Sequence, residues 1–450
     1  MKLTFFGGAG IVTGANYLLE SNSGDKILVD CGLIQSGHYS DRDNFAPFAY
    51  DLKDIKGVFI THAHIDHTGR LPKLYKDGYR GHVYSTPPTM DFARELLLDS
   101  EEILKKESER ENKEPIYSAK DVDGIMSLWK GLEYNTKLEL GSLSITLVNS
   151  GHILGSSSII VEVDGKIIVF SGDLGNVNPP LINEWKPLNI PVSYCLIESA
   201  YGDRLHEDLE KREDMLEDVI EDAVKSGGVL MIPAFALERI QALLYHIDEL
   251  VKDGRIPRVQ VFMDSPLAIK LTSVYEKYLN YFNPEAHKMI GSGKFFDFPG
   301  LKLTMTSEES KAIKDAPTPK VIIAGSGMSN GGRILFHEKE YLPDPKSTIL
   351  FVGYQSVGSL GRQILDGAKT VRIMGEEVHV RCKVAHISGY SAHADQKKLI
   401  DWVRPMKGTL KKVFVVQGDP DASKALAVAI EDELAILTEV PSVGEEVVLE

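Results

Sequence analysis

Cysteine is scarce in this chain: Cys31, Cys195 and Cys382 are the three among 450 residues, and none has the paired spacing of a zinc finger. That argues against a disulfide framework and suits a reducing cytosol. Net positive charge is also lacking. Fifty Lys and Arg stand against 65 Asp and Glu, a formal charge of −15, which argues against a non-specific coat on nucleic acid but leaves room for a locally basic groove. Long apolar runs are missing too. The uncharged stretch from Leu3 to Leu19 resembles a signal peptide only superficially, because Gly7, Gly8, Gly10, Gly14 and Asn16 break any apolar helix. Two strands around a glycine turn suit it better, and neither a targeting segment nor a transmembrane helix is expected. What remains is ordinary for a large soluble protein, 43% hydrophobic and 26% charged, with length for two domains.

Against that background one stretch is unusual: Thr61-His62-Ala63-His64-Ile65-Asp66-His67. It follows the apolar run Gly57-Val58-Phe59-Ile60, which reads as a buried strand, so several ligand types emerge together at a strand end. Imidazole nitrogens and carboxylate oxygens bind a borderline ion such as Zn²⁺. Extended spacing sets His62 and His64 on one side. Asp66 and His67 can turn toward a second position, so the stretch reads as two metal sites sharing a loop rather than as a His-rich surface loop.

Other strand ends carry matching groups. Asp30 closes Ile27-Leu28-Val29 and reads as a cap or as a carboxylate that orients a ligand imidazole; the His cluster favours the latter. His152 follows the strand Leu143–Val148 among small residues, Gly151, Gly155 and Ser156–Ser158, that leave room for a metal and water. Asp173 ends Ile167-Ile168-Val169-Phe170-Ser171-Gly172 and suits a bridge between two metals. The strand from Val192 to Ile197 delivers Glu198 in the same way. A helix over Met90–Arg110 carries a solvated Glu/Lys face, a second over Ala119–Leu132 follows Pro115, and neither is assigned chemistry.

From Asp203 to about Ala385 helices alternate with apolar strands: Asp208–Lys225, Gly228–Ile232, Leu237–Lys252, Arg258–Met263, Pro266–Leu279 and Val321–Ala324. Alternation of this kind predicts a parallel sheet covered on both faces. The glycine-rich turn at Gly325-Ser326-Gly327-Met328 lacks the Lys-Ser/Thr ending of a Walker loop. It reads as tight packing or as a phosphate contact through Ser326, Gly327 and Met328, with Arg333 and Arg362 as charge partners.

The pattern resembles the metallo-β-lactamase superfamily in its strand-end Asp30, H-x-H-x-D-H at His62–His67, Gly151-His152 and Ser171-Gly172-Asp173. Glu198-Ser199-Ala200-Tyr201-Gly202-Asp203, Pro233-Ala234-Phe235, Asp264-Ser265-Pro266, Gly331-Gly332-Arg333 and Ser391-Ala392-His393-Ala394-Asp395 are similar to the β-CASP branch and its RNA-cleaving members. The resemblance implies an αββα sandwich from residues 1–203 and 386–450 with an α/β β-CASP domain inserted over 204–385. It implies His62, His64 and His152 on one zinc, Asp66 and His67 on another, Asp173 bridging, and Glu198 paired with His393 for proton transfer. Gln417, in Val415-Val416-Gln417-Gly418-Asp419, stands where the family places a further histidine ligand. An amide oxygen is a poorer zinc ligand than imidazole, which opens that position to a harder ion such as Mn²⁺.

The expected activity is two-metal hydrolysis of single-stranded RNA by a cytoplasmic enzyme, with a homodimer implied by the resemblance. Asp66 would orient the nucleophile and His393 protonate the leaving oxygen. A small-substrate metallohydrolase and a catalytically weakened RNA-binding partner are the alternatives. The β-CASP-like insert speaks against the first, and the otherwise intact ligand set against the second.

Overall fold

Alternation of buried and half-exposed side chains begins at the first strand, Lys2–Gly7, where Leu3, Phe5 and Gly7 face inward. The computed structural model describes residues 1–35, 42–206, 211–290, 296–356 and 358–450. They divide into two compact units, one comprising Met1–Asn176, Asn183–Leu205 and His393–Glu450, the other Val177–Ile182 and His206–Ala392.

The first unit holds two seven-stranded sheets. In one, Lys2–Gly7, Asn16–Glu20 and Lys26–Val29 form an antiparallel meander, after which Ile55–Phe59, His82–Ser85 and Trp129–Gly131 join in parallel. In the other, Leu143–Asn149, Ser157–Val163 and Lys166–Phe170 are antiparallel, and Tyr194–Glu198 and Lys412–Val416 continue in parallel. Phe5, Phe59, Phe170 and Phe414 are fully buried in the core that both sheets share. Removing one such ring costs about 3–5 kcal/mol. The opposite face of the second sheet packs Val413 and Val415 against Trp402 and Leu399 of the helix Gln396–Val403 and Leu426 and Ile430 of Pro420–Leu434. This is an αββα sandwich.

Parallel pairing is what assembles the site. Val29 pairs with Phe59, so Asp30 and the residues after Phe59 leave the sheet together. Phe170 pairs with Leu196 and Glu198 with Val416, which brings Asp173, Glu198 and Gln417 to corresponding ends of the second sheet.

The second unit is built on a six-stranded, all-parallel sheet in the order Leu301–Leu303, Gln260–Asp264, Lys320–Ala324, Val229–Pro233, Thr348–Phe351, Lys383–His386. Val229–Pro233 and Lys320–Ala324 are buried at every position, as a sheet covered on both faces requires.

Several helices differ in extent from expectation. The helix expected from Met90 starts at Pro87, because prolines are tolerated in a first turn and the Thr86 hydroxyl accepts from the Thr89 N–H (3.4 Å). The one expected over Ala119–Leu132 stops at Met126, and Trp129–Gly131 becomes a sheet edge paired with Val83–Ser85. The helix expected from Asp208 covers Arg212–Ser226; positions 208–210 lie outside the described residues.

Candidate metal centre

The metal-type loop is held from beneath by main chain. The carbonyls of Ile65, Asp66 and His67 accept from the N–H groups of Leu33, Ala15 and Cys31 (2.9 Å each). Gly32 lies under this loop, and a Cβ there would come within 1.6 Å of the Asp66 carbonyl oxygen, so only glycine permits the approach.

Four ligand atoms converge above it. His64 Nδ1 lies 3.0 Å from His62 Nε2 and 3.2 Å from His152 Nε2. Asp173 Oδ2 lies 3.5 Å from both His62 Nε2 and His152 Nε2. Tetrahedral zinc, with bonds of about 2.0–2.1 Å, sets its ligand atoms about 3.3 Å apart, so this cage fits the ion. Burial and the neighbouring His67 push the His62 ring well below the usual imidazole range, which keeps its lone pair available.

The orientation of the rings is fixed behind the cage. Asp30 is fully buried, and its two oxygens accept from the Thr61 N–H (2.8 Å) and the Thr61 hydroxyl (2.8 Å). The same carboxylate lies 2.7 Å from His67 Nδ1, so His67 carries a proton there and turns Nε2 toward Asp173 Oδ1, 3.3 Å away. With its own hydrogen spent on Asp30, the Thr61 oxygen accepts from His62 Nδ1 (3.1 Å) and leaves His62 Nε2 facing the cage. Thr61 was not singled out from sequence; its signal was a hydroxyl placed between the apolar strand and the first histidine.

The second group of residues is Asp66, His67, Asp173 and Gln417. Asp66 Oδ2 is 3.8 Å from His67 Nε2. The Gln417 amide nitrogen lies 3.0 Å from His67 Nε2 and 2.9 Å from Asp173 Oδ1. Asp173 therefore turns Oδ2 to the first group and Oδ1 to the second. Burial raises Asp66 above the ordinary carboxyl range, whereas the imidazoles of His67 and His62 outweigh burial at Asp173 and hold it well below.

Beside the cage, Asp173, Glu198 and His393 place one ligand-type atom each within 4.8 Å of one another. Both Glu198 oxygens are 3.2 Å from His393 Nδ1. Main-chain N–H groups of Leu174 (2.7 Å) and Ala200 (3.3 Å) hold that carboxylate in place. An antiparallel bridge from Gly175 to His393, with the Ala394 N–H on the Leu174 carbonyl (2.8 Å), docks the His393 loop. Burial opposes a charge on His393, but Glu198, Asp173 and Asp66 raise it to about 9.

The expected phosphate contacts belong to the other unit, and their arginines are already engaged. Arg333 donates to Asp264 Oδ1 (2.7 Å) and to the carbonyls of Thr304 (3.0 Å) and Met305 (2.8 Å). Arg362 pairs with Asp366 one turn on, at 2.9 Å. The turn itself is braced internally: the Ser326 N–H donates to the Gly331 carbonyl (3.2 Å), Gln355 to the Gly327 carbonyl (2.9 Å) and the Gly361 N–H to the Met328 carbonyl (3.1 Å). Each guanidinium is thus ion-paired within its own unit.

A β sandwich ending in a His/Asp cage with a carboxylate-held histidine beside it is the apparatus of a metal-dependent hydrolase, and the comparisons agree. The chain belongs to the metallo-β-lactamase superfamily, whose model matches residues 10–221, in the branch that carries a Beta-Casp domain (240–364) and a Zn-dependent metallo-hydrolase RNA specificity domain (377–441). It is 38% identical to Ribonuclease TTHA0252 of Thermus thermophilus over 95% of both chains. It is 31% identical to Transcription termination factor FttA of Methanosarcina mazei, over 97% of this chain and 70% of that protein. A crystal structure of a protein of unknown function from Enterococcus faecalis shares the fold at 14% identity, with a TM-score of 0.57 over 100% of this chain and 99% of that one.

Proposed function

We propose that the chain is a zinc-dependent ribonuclease that cuts single-stranded RNA internally. The carrying observation is the junction at Asp173, where one carboxylate completes the four-atom cage and also lies 3.8 Å from His393 Nδ1. The ribonuclease name of the Thermus thermophilus relative and the matched RNA specificity domain support RNA as the substrate.

In this reading His62, His64, His152 and Asp173 hold the ion. A zinc ion held there would supply positive charge against the attacked phosphate and would lower the pKa of a water toward about 7. Asp66 accepts a hydrogen bond from the attacking water and orients it. His393, kept protonated at neutral pH by its carboxylate neighbours, passes a proton from Nε2 to the leaving oxygen while Glu198 holds Nδ1. Asp30 and Thr61 keep the imidazoles in the required tautomers. The main chain of Ser326–Met328 is the proposed contact for a flanking phosphate. Boundaries near residues 203 and 385, a cytoplasmic location and a homodimer complete the proposal. Three buried free thiols and the lack, among the described residues, of a helix long and apolar enough to cross a membrane agree with that location.

The test is cleavage of end-labelled single-stranded RNA by the purified chain and by Asp173→Asn, beside matched DNA. Internal fragments from the wild type alone are the expected result. Equal cleavage by Asp173→Asn would remove the site assignment, and single-nucleotide products would make the enzyme an exonuclease.

A further inference from the structure

The two halves of the centre differ in hydrogen count. In the first, His62 spends its ring hydrogen on Thr61 and turns the Nε2 lone pair toward His64 Nδ1 and Asp173 Oδ2, while His152 Nε2 lies 3.2 and 3.5 Å from the same two atoms. Three imidazole nitrogens and a carboxylate oxygen at these distances suit a cation.

The second half is balanced by the chain itself. A carboxylate oxygen only accepts, so the end of Gln417 that sits 2.9 Å from Asp173 Oδ1 is the NH₂ and not the carbonyl. The amide nitrogen also faces His67 Nε2 at 3.0 Å, which accepts from it when the ring is neutral with its proton on Nδ1 against Asp30. A charged ring would donate from Nε2 to Asp173 Oδ1, 3.3 Å away, so in either state this oxygen is met by hydrogens of the chain. Turning the amide oxygen inward as a ligand would break both bonds and set two oxygens about as close as the present pair, with like partial charges.

The backbone keeps the side chain there. Gln417 sits in the left-handed region at φ 51, a conformation costing on the order of 1–3 kcal/mol outside glycine. Its N–H donates to the Gly8 carbonyl at 2.7 Å, and the side chain is buried. A Cβ at Gly8 would stand 3.3 Å from Gln417 Cγ, so Gly8 forms a close wall beside it.

We propose that this chain retains one tightly held zinc, on His62, His64, His152 and Asp173, and that the Gln417 amide closes the second metal position by hydrogen-bonding Asp173 and His67. The inference rests on the metal-centre reading above. It assigns Gln417 as the residue that sets metal number, and it makes His67 an orienting neighbour of Asp173 instead of a ligand.

The experiment measures zinc per chain by elemental analysis after loading with excess zinc and dialysis, on the wild type, Gln417→His and Gln417→Glu. One zinc in the wild type and two in Gln417→His is the expected result, since a neutral imidazole restores an inward lone pair. Gln417→Glu, which replaces the NH₂ by a carboxylate oxygen, should also gain a second zinc and serves if the histidine variant does not fold. Two zincs in the wild type would overturn the inference while leaving the metal centre standing. No retained zinc would remove both. One zinc in all three chains would show that Gln417 is not what limits the count, and would overturn its role.

Discussion

Asp173 and Asp264 are both buried carboxylates among histidines, one in each unit, and they are handled in opposite ways. Asp264 receives four hydrogen bonds, from Thr304 (2.7 Å), Ser310 (2.6 Å), Arg333 (2.7 Å) and His337 (2.7 Å). Burial alone would raise its carboxyl, but those donors bring it down to about 2. Every lone pair has a hydrogen, and the cluster ties the strand Gln260–Asp264 to the helix Ile334–Tyr341. Asp173 instead has two imidazole nitrogens, of His62 and His152, 3.5 Å from its Oδ2 and no hydroxyl or guanidinium donor among the described residues. A balanced cluster is structural, and an unbalanced one asks for a ligand. Proximity of His to Asp does not separate the two cases; the hydrogen count does.

The largest expected contrast comes from breaking each carboxylate in turn. Asp173→Asn should lower RNA cleavage by about 10³-fold, the several kcal/mol that a bound metal supplies, with a melting temperature close to wild type. Asp264→Ala should do the reverse. It leaves the Arg333 charge without its partner and should cost about 3–5 kcal/mol in denaturant unfolding, with unchanged zinc content and cleavage per folded molecule. If both variants lost activity without losing stability, the contrast between the clusters would fail.

Thr61→Val sharpens the comparison on the metal side. It removes the hydroxyl that relays Asp30 to His62, and zinc affinity measured against a competing chelator should weaken about 10–100-fold. A last contrast is expected at Glu338, a buried acid in the second unit. One of its oxygens meets Ser329, and the other has no partner among the described residues. Burial raises this carboxyl from 4.5 to about 8. A folded-state value above the unfolded one means that stability is fully present below pH 4.5 and erodes as pH rises toward about 8. Glu338→Gln should flatten that decline in melts from pH 5 to 9; parallel curves for the two chains would refute it.

Much of the centre was legible because each ligand follows an apolar strand. Once Phe59, Phe170 and Leu196 are read as strand residues, the polar groups after them emerge at sheet ends, and parallel pairing gathers them. Gln417 was legible as a departure, but the direction of its amide was not, since that depends on Asp173, 244 positions away. Arg333 was legible as a cation after a glycine turn, but its pairing with Asp264, 69 residues earlier, was not. Trp129–Gly131 was absorbed into a helix because a three-residue edge strand has no periodicity of its own and exists only through pairing with His82–Ser85. Local pattern carried the elements, and long-range hydrogen bonding decided what each polar group is for.

The most direct test of the central claim is a zinc titration of cleavage. The chain is stripped with a chelator, zinc is returned in measured equivalents, and the rate of single-stranded RNA cleavage is followed. Cleavage should fall to background and return in step with zinc bound at the four-atom cage, with no recovery in Asp173→Asn. Cleavage that persists at full rate in the stripped chain would contradict the account.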